Sequence, residues 1–187
     1  MSGGGAGMKA LVIVDMQMEM PHRIAAGRAC VNAQAPERIA ALAAAFRRAG
    51  LPVLHVRHSD DNPRSPLHAD APGYPPMPCA EAAGGEAVFV KRTSSAFAST
   101  GIEAYLRDRG IAELLVAGAV AGFCVNSTVR HGADLGFAMT VVRDAVIGID
   151  LPGTGLPAQV ILDVTLAHLE ADFAQVVDTA AVLAGIG

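Results

Sequence analysis

The sequence predicts a doubly wound α/β protein, a three-layer α/β/α sandwich on a parallel sheet, from three observations. Short apolar runs alternate with amphipathic stretches from Lys9 onward. The runs are continuous rather than alternating, as in parallel strands buried on both faces. Chemically distinctive residues stand directly after them, where open α/β sheets place their ligands. ALVIV (10–14) reads as the first strand, ending at Asp15. PERIAALAAAFRRAG follows as a helix, with Pro36 in its first turn, Ile39, Leu42 and Phe46 on one face, and Gly50 as its stop. VLHV (53–56) is the second strand and AVFV (87–90) the third, stopping at Lys91. Between them, residues 59–85 are rich in Pro, Gly and Asp and too long for a simple connector, which marks them as a functional lid. Thr100 and Glu103 have capping-box spacing for a helix ending at Gly110. ELLVAG (113–118), a helix from about Cys124 to Leu135, FAMTVV (137–142), a helix opened by Pro157, FAQVV (173–177) and a short helix capped by Asp178 complete six strands and about five helices.

Composition narrows the function classes. The 187 residues are 52% hydrophobic, 17% charged and 4% aromatic, which excludes a disordered chain and suits one domain over residues 8–187 with apolar surface left to pair. A dimer or tetramer of identical subunits is therefore expected. A formal charge of -4 with no basic run argues against nucleic acid as a partner. The longest stretch without polar side chains, 114–125, is shorter than a bilayer span, so no membrane partner is expected. Residues 1–7, MSGGGAG, lack the basic and apolar regions of a signal peptide and read as a disordered leader. Cys30, Cys79 and Cys124 form an odd set with neither zinc-finger nor C-x-x-C spacing, which suits the reducing cytoplasm.

Three residues at strand ends can carry chemistry. Cys124 lies where a strand turns through a Gly-rich segment into a helix, and a thiol at a helix N-terminus feels the field that stabilises thiolate. Against this stands the ordinary burial of cysteine in cores, which is how Cys30 and Cys79 are read. Lys91 is one of only two lysines beside twelve arginines, so it either supplies a compact ammonium or is a surface side chain. Asp15 can be a general base, a loop cap or a solvated strand end. Together they could form a nucleophile, a base and a cation that keeps the base ionised. Phosphate-loop, dinucleotide and serine-elbow spacings are absent, so no cofactor is expected.

The segments ALVIVDMQ (10–17), VFVKRTSSAF (88–97), LLVAGAVAGFCVNSTVRHGADLGF (114–137) and VVRDAV (141–146) carry a family resemblance. The ordered D-x-Q, K-x-x-x-S-A-F and C-V-x-x-T set resembles the isochorismatase-like cysteine hydrolases, which include nicotinamidases and N-carbamoylsarcosine amidohydrolases. That resemblance implies a six-stranded parallel sheet in order 3-2-1-4-5-6 and a catalytic triad of Asp15, Lys91 and Cys124. It also implies a non-proline cis peptide between Ala119 and Val120, and an oxyanion hole from the N–H groups of Val120 and Cys124. The chain departs from many relatives at Ala121, Gly122 and Phe123, and has His58-Ser59-Asp60 in place of the nicotinamidase D-x-H motif, so no metal is expected. Gln17, His58, Phe97 and Phe123 are the candidates for the substrate pocket, and Arg57 and Arg92 are possible anion ligands. The expected activity is hydrolysis of a small amide or other C–N bond through a thioester. The alternatives are a non-catalytic or redox-sensing protein of the same fold and a vinyl-ether hydrolase.

Overall fold

Period-two alternation along the first strand divides the interior in two. In the computed structural model, which describes residues 8–186, strand β1 (Met8–Val14) sends Val12 and Val14 into one apolar cluster and Leu11 and Ile13 into the other. The first cluster is closed by helices α3 (Ile102–Asp108), α4 (Asn126–Asp134) and α5 (Ala158–Asp172), through Ile102, Leu106, Val129, Leu162 and Leu169. The second is closed mainly by α2 (Ala35–Arg48), through Ile39, Leu42 and Phe46, each fully buried. Helix α6 (Thr179–Ala184) adds Val182 and Leu183 on that side. The leader expected at residues 1–7 lies outside the described residues.

Beside β1 lie β3 (Val53–His58) and β5 (Ile111–Ala119), both parallel to it. Strand β4 (Ala87–Lys91) pairs with β3, β6 (Ala138–Ile149) with β5, and β7 (Gln175–Val177) with β6, all parallel. The parallel order β4-β3-β1-β5-β6-β7 is the expected 3-2-1-4-5-6. A seventh strand corrects the count of six: β2 (Cys30–Val31) runs antiparallel to the end of β6. Two residues are too few to show a period, which is why it escapes a sequence reading. Strand β6 also runs seven residues beyond Val142, the expected end, because the register jumps from Val116↔Val141 to Gly118↔Val146 around the polar Arg143-Asp144 pair. Helix α1 (Glu19–Ala25) is likewise new, and Pro21 is tolerated there because it stands in the first turn.

Two expected caps are built differently. The Thr100 hydroxyl accepts the Ile102 N–H at 3.2 Å, but Glu103 pairs forward with Arg107 at 3.4 Å instead of closing the box. At α6, the N–H of Thr179 donates to Asp144 at 2.8 Å, while Asp178 meets Arg143 at 3.4 Å. No helix among the described residues is long and apolar enough to cross a membrane. Helix α5 is apolar on more than its buried side, with Val160 and Val164 about half-exposed.

Two features of this framework have measurable consequences. Gly118 has φ +130°, and a Cβ there would lie 2.0 Å from the Val14 carbonyl oxygen, so only glycine lets β5 approach β1 at the strand ends. Gly118→Ala should cost about 3 kcal/mol or more in urea unfolding. On the α2 side, Glu86 accepts two bonds from Arg47, at 2.7 and 2.9 Å, and meets buried His55 Nε2 at 2.8 Å. Arg47 chiefly, with His55 and the Ala83 N–H, holds the carboxyl from its ordinary 4.5 down to about 2, against the opposing effect of burial. Because the folded state binds this proton more weakly than the unfolded one, the stability it contributes is complete above pH 4.5 and lost as the pH falls toward 2. Thermal melts across that window should fall less steeply for Glu86→Gln than for the wild type.

Candidate active site

The strand order brings three carboxyl ends together. Asp15 follows β1 directly and turns the chain at φ 48°, with its N–H donating to the Val56 carbonyl at 2.9 Å. Lys91 is the last residue of β4 and is fully buried. Strand β3 separates β4 from β1, so the long lysine stem crosses the end of β3, where His58 stands. Cys124 sits in the π-helical turn Ala121–Val125 that joins β5 to α4.

At the centre of this group is the Lys91 ammonium. Its Nζ donates to Cys124 Sγ at 3.2 Å, to His58 Nδ1 at 3.2 Å and to the Thr93 carbonyl at 3.1 Å. Those contacts use the three N–H bonds an ammonium has. Asp15 Oδ2 nevertheless lies 2.7 Å from Nζ, an ion pair held by charge, and neither carboxylate oxygen has a partner of hydrogen-bond geometry. Reacting atoms of Asp15, His58 and Cys124 all fall within 4.8 Å of one another.

Burial pushes the Asp15 carboxyl above the usual carboxylate range, with the Lys91 charge opposing it. Burial and the Asp15 charge push the Cys124 thiol up to about 12, only partly offset by Lys91. These shifts run against the thiolate-favouring field expected of the helix N-terminus and keep the proton on sulfur. His58 is held below its ordinary value by burial and by Lys91, so it is neutral at pH 7 and accepts from the lysine through Nδ1.

These groups open into a cavity of about 320 Å³, which suits a small molecule. Ala119, Val120, Phe123 and Cys124 form one wall. The Ala119–Val120 peptide bond is cis, and the Val120 carbonyl accepts the N–H groups of Phe123 at 3.0 Å and Val125 at 3.4 Å, closing the π turn. Phe123, about half-exposed, and His58 both line the cavity.

Other candidates lie elsewhere. Phe97 is in the core, stacked on Phe137 at 5.6 Å, and does not line the cavity, because it follows Ser95 and Ala96 inward against α4. Gln17 borders the cavity, but its carboxamide is spent on the backbone: it donates to the carbonyls of His58 and Tyr74 at 3.0 and 2.7 Å and accepts the His58 N–H at 2.8 Å. It is a strut rather than a substrate ligand. Arg57 does not reach the cavity, and Arg92 pairs with Asp61 at the surface at 2.9 Å. Asp15, His58 and Cys124 are donor types that zinc accepts. The Lys91 ammonium already stands among them and contacts all three, so the place of a cation is taken.

The isochorismatase domain model matches residues 9–181. The chain belongs to the isochorismatase family of hydrolases. A crystal structure of an isochorismatase-family protein from Chromobacterium violaceum superposes with a TM-score of 0.91 at 32% identity, covering 98% of this chain and 96% of that one. The isochorismatase family protein YrdC of Bacillus subtilis is 28% identical over 174 residues, 91% of this chain and 92% of its own length. N-carbamoylsarcosine amidase from Arthrobacter sp. is 39% identical over 71 residues, 38% of this chain and 26% of that protein.

In this isochorismatase-family chain, residues 59–85 are strapped along residues 16–19. Met77 donates to the Met16 carbonyl, Met18 to Pro75 and Glu19 to Gly73, at 2.8 to 2.9 Å. Leu67 of this segment and Glu19, Met20 and Arg23 of α1 line the cavity and were not singled out from the sequence. The available signal was the Glu19/Arg23 spacing of four, which places opposite charges on one helical face.

Proposed function

We propose that the protein is a cysteine hydrolase that cleaves the C–N bond of a small, non-peptide amide or ureide through a thioester. One observation carries this reading: a single buried ammonium contacts both Asp15 Oδ2 and Cys124 Sγ, at 2.7 and 3.2 Å, at the floor of a cavity. The partial likeness to an amidase that acts on a carbamoyl amine supports the bond type.

Asp15 takes the thiol proton as sulfur attacks the carbonyl carbon, and its raised pKa makes it a stronger base than an ordinary carboxylate. Lys91 stabilises the sulfur anion as it forms, so thiolate exists only along the reaction path. The oxygen of the tetrahedral intermediate rests on the N–H groups of Val120 and Cys124. Asp15 then protonates the leaving nitrogen as the C–N bond breaks. Water, losing its proton to Asp15, attacks the thioester; the C–S bond breaks and Asp15 returns the proton to sulfur. A thiol pushed up to about 12 suits this cycle better than a redox sensor, whose oxidation needs standing thiolate.

Turnover of a panel of primary amides and ureido acids tests the reading. Cys124→Ala should lower activity by about three orders of magnitude or more with an unchanged circular dichroism spectrum. Activity retained in that variant contradicts the mechanism.

A further inference from the structure

The wall of the cavity contributed by α1 carries a charged device that the proposed chemistry does not use. Arg23 Nε donates to Glu19 Oε1 at 2.7 Å, and both side chains line the cavity. Among the described residues, Nη1 and Nη2 of Arg23 make no hydrogen bond, and its side chain is 35% exposed. Glu19, at 14%, is the more enclosed partner. The strapped segment passes close to it: a Cβ on Gly73 would stand 2.5 Å from the Pro66 carbonyl oxygen, 2.7 Å from Glu19 Oε2 and 3.0 Å from Glu19 Cβ. Gly73 therefore leaves room for Glu19, Glu19 fixes Nε of the guanidinium, and the two Nη groups remain as a prepared fork.

We infer that Arg23 is a specificity-determining residue that binds a carboxylate on the end of the substrate remote from the scissile bond. The inference rests on the reading of this cavity as the substrate site. A planar fork with two free N–H edges matches a carboxylate in two-point geometry. A cationic group fits poorly, because Glu19 Oε1 is taken by Arg23 and the guanidinium is the more exposed member of the pair. Charge balance also permits an anion. Lys91 and Arg23 offset Asp15 and Glu19, His58 is held neutral, and an incoming carboxylate meets no net negative field. Met20, Leu67 and Phe123 are apolar members of the same lining and suit a short hydrocarbon spacer. Glu19 is a positioning residue, acting through Arg23.

Equilibrium binding separates this claim from the catalytic one. In a Cys124→Ala background, which prevents turnover, calorimetry compares N-carbamoyl-β-alanine and N-acetyl-β-alanine with their uncharged primary amides. The acids should bind about tenfold to a hundredfold more tightly than the amides. Arg23→Gln should abolish that preference by bringing acid affinity down to that of the amides, and Arg23→Lys should retain part of it. Equal affinity for acid and amide, no binding of the acids, or a preference that survives Arg23→Gln overturns the assignment. Failure of the cysteine mechanism shows instead as retained turnover in Cys124→Ala, whatever the binding preference.

Discussion

The arrangement depends on one buried ammonium. An uncompensated lysine in an apolar interior costs several kcal/mol, and a carboxylate beside it recovers that only if the remaining N–H groups also find acceptors. Lys91 meets both conditions, with Asp15 for charge and Cys124, His58 and Thr93 for its protons. The same contacts set the proton inventory of the site. Burial raises the Asp15 carboxyl while the ammonium opposes the rise, and burial together with the Asp15 charge keeps the proton on the Cys124 thiol. In the proposed cycle Asp15 and Cys124 share one proton, on sulfur at rest and on oxygen once attack begins.

That arrangement constrains the fold far from the reacting atoms. Lys91 and Asp15 belong to strands separated by β3, so the ion pair forms only where the strand ends are level, which the registers Val14↔Val56 and His58↔Lys91 provide. Cys124 comes from the other side, and the close passage of Gly118 over Val14 brings β5 near enough for its π turn to aim sulfur at the lysine. Gln17 ties the residues after β1 to the end of β3 and to the strapped segment at once. The floor of the cavity and its α1 wall are in this way joined through residues 15–23.

Much of this was legible in the sequence, for identifiable reasons. Continuous apolar runs mark all six parallel strands, including the partly exposed edge strands β4 and β7, and the rule that ligands gather at strand ends points to Asp15, Lys91 and Cys124. What stayed hidden depended on contacts distant in sequence. Phe97 and Phe123 are both aromatics near the motifs, yet one stacks into the core and the other faces the cavity, a choice made by how α4 packs. The protonated state of the thiol is set by burial first and by the Asp15 charge second, and neither can be read from its place at a helix terminus. Strand β2 and helix α1 are too short to show a period, and Arg23 was lost with α1.

The central claim, that Asp15 and Cys124 share one proton under the control of Lys91, is tested most directly by titrating Cys124 through thiolate absorbance in a Cys30→Ala, Cys79→Ala background, with and without Asp15→Asn. The account predicts a thiol that resists ionisation well beyond the ordinary value of 9 with Asp15 present, and ionises at lower pH once the carboxylate is neutralised while Lys91 remains. An unchanged or higher midpoint in Asp15→Asn would contradict it.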